Sequence, residues 1–210
     1  MIRNRLAEIL FERDIKVVRM AKEIGISRNT IANTASNTSE MLQMNTINKI
    51  CGFLEITPCD FFHYIPIDID FSFFEEDKID LVKAWNLDNL KCKANFDIDM
   101  LIDITNKNEQ FKIDTKITIK DDILSIIPFD DNKLELTIES TGEQIVKLTE
   151  LFNEIPKEFK KMIYNNLVTE YKSYLLKNID EEDKIDSHIK KREIIEGTEF
   201  TFTNDFLKYY

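Results

Sequence analysis

Apolar positions in this chain follow one period up to about residue 64 and another beyond it. Ile2, Leu6, Ile9 and Leu10 recur at helical spacing, with Arg3, Arg5, Glu8 and Glu12 between them, which predicts a helix over 2–12. A second helix is expected from Val17 to Ile24, closed by Gly25, a residue free to take a positive φ. Ser27 then offers an N-cap hydroxyl to a third helix over Arg28–Ala35. Ser36, Asn37, Thr38, Ser39 and Glu40 read as a loop, and Ile47, Ile50, Cys51 and Leu54 mark a fourth helix over 46–54. Thr57 and Pro58 pair a cap with a first-turn proline, opening a short fifth helix that runs through Phe61 and Phe62 and carries His63. Five short helices in so few residues predict a compact all-α domain over 1–65.

From Pro66 the period falls to two. Ile67, Ile69, Phe71 and Phe73 alternate with Asp68, Asp70 and Ser72. The run 92–104 alternates for so long that a bend or bulge is expected inside it. Further strands are predicted over 111–119, 123–129 and 134–138. Turn chemistry lies between them at Asn106-Lys107-Asn108, Lys120-Asp121-Asp122 and Asp130-Asp131-Asn132. Such a pattern predicts an antiparallel meander with one wet face. Helical spacing returns after Gly142 with Ile145, Leu148, Leu151 and Phe152, and again after Pro156 with Phe159, Met162, Ile163, Leu167, Tyr171, Tyr174 and Leu175. Residues 185–195 carry a helical reading, and Phe200 to Phe202 that of an edge strand. The fold class expected is therefore α followed by α+β, with a second domain over 66–210 built from an antiparallel sheet and C-terminal helices. Because the 156–178 stripe is wide, that domain is expected to dimerise.

With 43% apolar residues and a mean hydropathy of −0.30, the chain has material for real cores. No apolar run approaches the ~20 residues of a membrane span, and MIRNRLAEIL lacks the make-up of a signal peptide, so a cytoplasmic protein is expected. Cys51, Cys59 and Cys92 form no CxxC pair, and His63 and His188 are the only histidines. No phosphate-loop, dinucleotide or zinc-protease motif occurs, so no catalytic residue, metal or cofactor is expected.

Net charge divides the chain as sharply as periodicity does. Overall it is −11, yet residues 1–65 hold 8 lysines and arginines against 7 acids, while residues 66–210 hold 20 against 32. Arg3, Arg5, Arg13, Lys16, Arg19, Lys22 and Arg28 all precede residue 30, which suits either a solvated helical surface or a phosphate-contacting face. The acidic second part suits a basic protein partner, met through Glu75-Glu76-Asp77 or Asp180-Glu181-Glu182-Asp183, or else plain solvation.

Within VVRMAKEIGISRNTIANTASN, residues 17–37, a small residue (Ala21), a turn glycine (Gly25) and a branched anchor (Ile31) stand where two crossing helices need them. Residues 2–64 resemble the helix-turn-helix domain of the phage Cro and repressor superfamily, the XRE-type regulators. AKEIGISRNTI and the Thr57-Pro58-Cys59-Asp60-Phe61-Phe62 segment carry the likeness. It implies double-stranded DNA as partner, a palindromic operator, a homodimer, and a repressor-type transcriptional regulator of a phage or mobile element. Carried over by position, Arg28, Asn29 and Asn33 become base readers, and Lys16, Arg19, Ser27 and Thr30 phosphate contacts. Three positions depart from the family pattern: Val17 in place of a glutamine, Thr34 at an apolar position, and Ala35 with Asn37 in place of a Glu-x-Gly turn. Self-cleavage, common in this superfamily, needs an Ala-Gly bond, and none occurs. Two related readings keep the DNA-binding head but make the acidic part an anti-CRISPR-like inhibitor or an antitoxin.

Overall fold

The computed structural model describes residues 1–39, 41–75, 78–84, 90–127, 132–140, 143–204 and 206. Glu40, Glu76, Asp77, Phe129, Asp130, Asp131 and Gly142, each part of a sequence expectation above, lie outside the described residues. The chain divides into two compact units, Met1–Ile67 and Asp68–Tyr210.

The first unit runs β1 (Ile2–Asn4), α1 (Leu6–Glu12), α2 (Val17–Ile24), α3 (Arg28–Ala35), α4 (Met44–Leu54), the single turn α5 (Pro58–Phe61) and β2 (Phe62–Tyr64). Leu6, Met20, Ile31, Ile50, Leu54 and Phe61 form the centre of its core, each 1% exposed or less. Two expectations are corrected here. The helix over 2–12 begins only at Leu6, because Ile2, Arg3 and Asn4 pair antiparallel with Tyr64, His63 and Phe62. Asn4 Oδ1 then accepts the Leu6 N–H at 3.0 Å and starts the helix. The fifth helix likewise stops at Phe61, so His63 lies on a strand opposite Arg3. Helix periodicity cannot register such a ribbon, since its two halves lie far apart in the chain.

The second unit contains β3 (Ile67–Phe74), β4 (Asp80–Lys83), β5 (Lys91–Asn95), β6 (Ile98–Asn106), β7 (Glu109–Ile119), β8 (Ile123–Ser125) and β9 (Lys133–Glu139). There follow α6 (Glu143–Glu154), α7 (Lys157–Asn178), β10 (Lys184–Asp186), β11 (Ile189–Lys190), α8 (Lys191–Gly197) and β12 (Glu199–Thr203). Its main sheet has the order β12-β9-β7-β6-β3, and a smaller sheet has the order β4-β5-β8. The long alternating run breaks at Phe96 and Asp97, where the chain leaves one sheet for the other. Tyr171 on α7 donates its hydroxyl to the Phe96 carbonyl at 2.8 Å, and Asp97 Oδ1 accepts the Ile119 N–H at 3.2 Å.

The meander is not antiparallel throughout. β12 lies parallel to β9, with Phe200 opposite Leu134, because α6, α7 and α8 intervene and return the chain in the same direction. Residues 185–195 form a hairpin and then α8 rather than one helix. Lys191 pairs there with Asp80 and Asp183, and Lys83 with Asp186 at 2.9 Å, fixing the hairpin to β4. On α7, Phe159, Ile163, Leu167, Tyr171 and Leu175 are buried within the unit, where Tyr171 packs edge-on against Phe200 and Phe202. The stripe is thus largely covered without a second copy. No helix among the described residues is long and apolar enough to cross a membrane.

Candidate nucleic-acid interface

Two helices and the turn between them position the predicted base readers. Gly25 ends α2 in the left-handed region, at φ 64, where a Cβ would cost about 1–2 kcal/mol. The Gly25 and Ile26 N–H groups both donate to Ala21 O, and the chain reverses. Extended Ser27 caps α3, its Oγ accepting the Thr30 N–H at 3.0 Å and lying 2.8 Å from Thr30 Oγ1. Ile31 and Thr34 point into the core, at 0% and 1% exposure. Helical geometry therefore turns positions 28, 29, 32 and 33 to solvent.

Arg28, Asn29 and Asn33 lie exposed on that outer face, and their side chains have no hydrogen bond or ion pair among the described residues. They are the combination of donors that base edges need: a guanidinium for guanine and carboxamides for adenine. Ser27 and Thr30 are exposed too, but their hydroxyls serve the cap. Lys16 stands exposed at the N-cap of α2, and Arg19, 70% exposed, pairs with Glu23 at 3.0 Å. So exposed a pair contributes little and opens readily to a phosphate.

Of the basic residues before position 30, some are already engaged. Arg3, 8% exposed, and Arg5 both pair with Glu8. Burial pushes the Glu8 carboxyl up, but hydrogen bonds from the two arginines outweigh it and hold the group below its ordinary value. Arg13 donates to the Leu54 carbonyl. The cationic surface left beside α3 is smaller than the sequence count suggests.

The three departures from the family pattern each have a place in the packing. Val17 is half-buried against the core. Thr34 satisfies its hydroxyl within the helix, donating to Thr30 O at 2.8 Å. Asn37 takes the left-handed backbone at φ 56 that a glycine would ordinarily supply. Its Oδ1 accepts both the Asn4 N–H and Asn4 Nδ2, at 2.7 and 2.8 Å, and its Nδ2 donates to Asn4 O at 3.1 Å. Asn4 Nδ2 also reaches Thr34 O at 2.7 Å. This pair locks the end of α3 to the first strand. Nothing in the local sequence announces a partnership between residues so far apart.

A cleft of about 380 Å³ adjoins α3, lined by Thr30, Gln43, Asn45, Thr46 and Lys49 among others. Gln43, Asn45 and Lys49 extend the polar surface beyond the residues the sequence singled out. Their signal was weak, since Lys49 is the one base between residues 29 and 65.

A family model for the Cro/C1-type helix-turn-helix DNA-binding domain matches residues 5–66. No curated protein and no solved structure matches the chain.

Proposed function

We propose that this chain, whose residues 5–66 are a Cro/C1-type helix-turn-helix DNA-binding domain, is a sequence-specific transcriptional repressor of a phage or other mobile element. The observation that carries this reading is the exposed, unengaged set Arg28, Asn29 and Asn33 on one face of α3. Lys16, Arg19 and Lys49 supply phosphate contacts around it, with the hydroxyls of Ser27 and Thr30 at the helix start. One head with 8 bases against 7 acids binds a duplex weakly, so two heads act together on a palindromic operator, in a homodimer. Residues 66–210 serve as the interaction module.

Selection of duplexes from a random pool by the full chain, followed by footprinting upstream of its own gene, tests this reading. A recovered inverted repeat that is also protected there supports it. Failure to enrich any sequence overturns it.

The charge of the second part favours another reading. Its 32 acids against 20 bases suit an inhibitor of the anti-CRISPR kind, or an antitoxin, that holds a basic protein while the head regulates its own gene.

A further inference from the structure

The outer face of the main sheet holds a groove of about 480 Å³, lined by Phe74, Asp99, Leu101, Asp114, Lys116 and Glu139 along with Ser140 and backbone of β6 and β7. Register explains its charge. Lys116 on β7 lies opposite Asp99 on β6 and Glu139 on β9, and Asp114 lies opposite Leu101. Three carboxylates and one ammonium therefore lie on neighbouring positions of these strands.

Several other lysines and acids of this unit are matched: Lys112 with Asp103, Lys120 with Glu135, Lys133 with Glu199. In the conspicuous run at 180–183 three of the four acids are matched, Glu181 with Arg192, Glu182 with Lys190 and Asp183 with Lys191. Asp114 and Glu139 are exposed and have no cationic partner among the described residues. Phe74 is 53% exposed at the groove, and the hydroxyl oxygen of Ser140 is buried with no hydrogen-bond partner among the described residues.

We infer that this groove receives an arginine side chain from a basic protein partner. The inference rests on reading residues 66–210 as a protein-binding module. A guanidinium forks between two carboxylates while its flat face stacks on an aromatic ring, and its methylene stem needs apolar ground such as Leu101. A lysine ammonium uses only the charge.

The probes are octa-arginine and octa-lysine peptides, titrated into the full chain and followed by backbone amide shifts and by calorimetry. Octa-arginine is expected to bind more tightly than octa-lysine, with shifts concentrated on residues 74, 99–101, 114–116 and 139–140. D114N/E139Q is expected to weaken octa-arginine about tenfold. A charge-matched control, E181Q/E182Q, is expected to change it less than about twofold, as for exposed charges outside a site. Equal losses in both variants, or shifts spread over the whole acidic surface, overturn the groove while leaving a diffuse basic-protein binder. No binding of either peptide overturns the groove together with the basic-partner reading. Equal affinity for the two peptides overturns the choice of arginine, and the groove with it if the shifts lie elsewhere.

Discussion

Asn37 and Glu55 share a left-handed backbone, at φ 56 and φ 52, and glycine at the two positions is expected to act in opposite directions. Glu55 is exposed at the C-cap of α4, where glycine relieves strain and is expected to stabilise the first unit by about 0.5–1 kcal/mol. Asn37→Gly also relieves strain, but it abandons three hydrogen bonds with Asn4, so a net loss of about 1–3 kcal/mol is expected. Urea midpoints at constant m-value measure both, and a stabilised Asn37→Gly variant would refute the lock. Arg28→Ala belongs to the same scale. If that side chain grips a guanine, it should cost about 1–3 kcal/mol on the selected site and little on random DNA. Equal losses on both make it a phosphate anchor instead.

Elements were legible where the local pattern and the caps agreed. α2 and α3 have the expected limits, Val17–Ile24 and Arg28–Ala35, because Gly25 and Ser27 punctuate them and apolar spacing fills them. The elements that escaped are short: β1 and β2, paired at long range, β4, and the β10–β11 hairpin. The break between β5 and β6 shows how a helix decides a strand. Tyr171→Phe keeps the ring contacts with Phe73, Phe200 and Phe202 but leaves the Phe96 carbonyl without its donor. A loss of about 1–3 kcal/mol in thermal or denaturant unfolding is expected, with fold unchanged by circular dichroism. A neutral result would mean that the Phe96 carbonyl is satisfied by water.

For the molecule as a whole, acid and alkali act on ion pairs in both units. Glu8 in the first unit is held below its ordinary 4.5. In the second unit, hydrogen bonds from Lys191 and from Lys83 hold Asp183 and Asp186 below 3.8. A carboxylate whose value is lowered on folding contributes stability above its unfolded value and loses it as the pH falls through the folded one. Lys191 is the opposite case: burial lowers it, but the hydrogen bonds it donates to Asp80 and Asp183 outweigh this and raise it above 10.5. Its contribution is complete below the unfolded value and lost as the pH rises through the folded one. Melting temperature is therefore expected to hold between about 4.5 and 10.5 as far as these groups are concerned, and to fall at both ends. Glu8→Gln should flatten the acid limb of the first unit alone. An unchanged limb would place the acid sensitivity in other groups.

Sequence by itself determined the helical head, its turn glycine and cap, the candidate reading helix and the change of period near residue 65, because each is encoded within a few neighbouring residues. Arg28, Asn29 and Asn33 could be named in advance through the resemblance to the Cro and repressor helix-turn-helix, and they stand outward because Ile31 and Thr34 face the core. Tertiary structure decided which cations remain available beside that helix, since Arg13 finds the Leu54 carbonyl only once the chain has folded. It also decided that β12 runs parallel to β9, that Asn4 meets Asn37, and that Asp99 and Glu139 lie opposite Lys116 on the main sheet. These depend on register and on pairing between distant segments, which a local pattern permits but does not select.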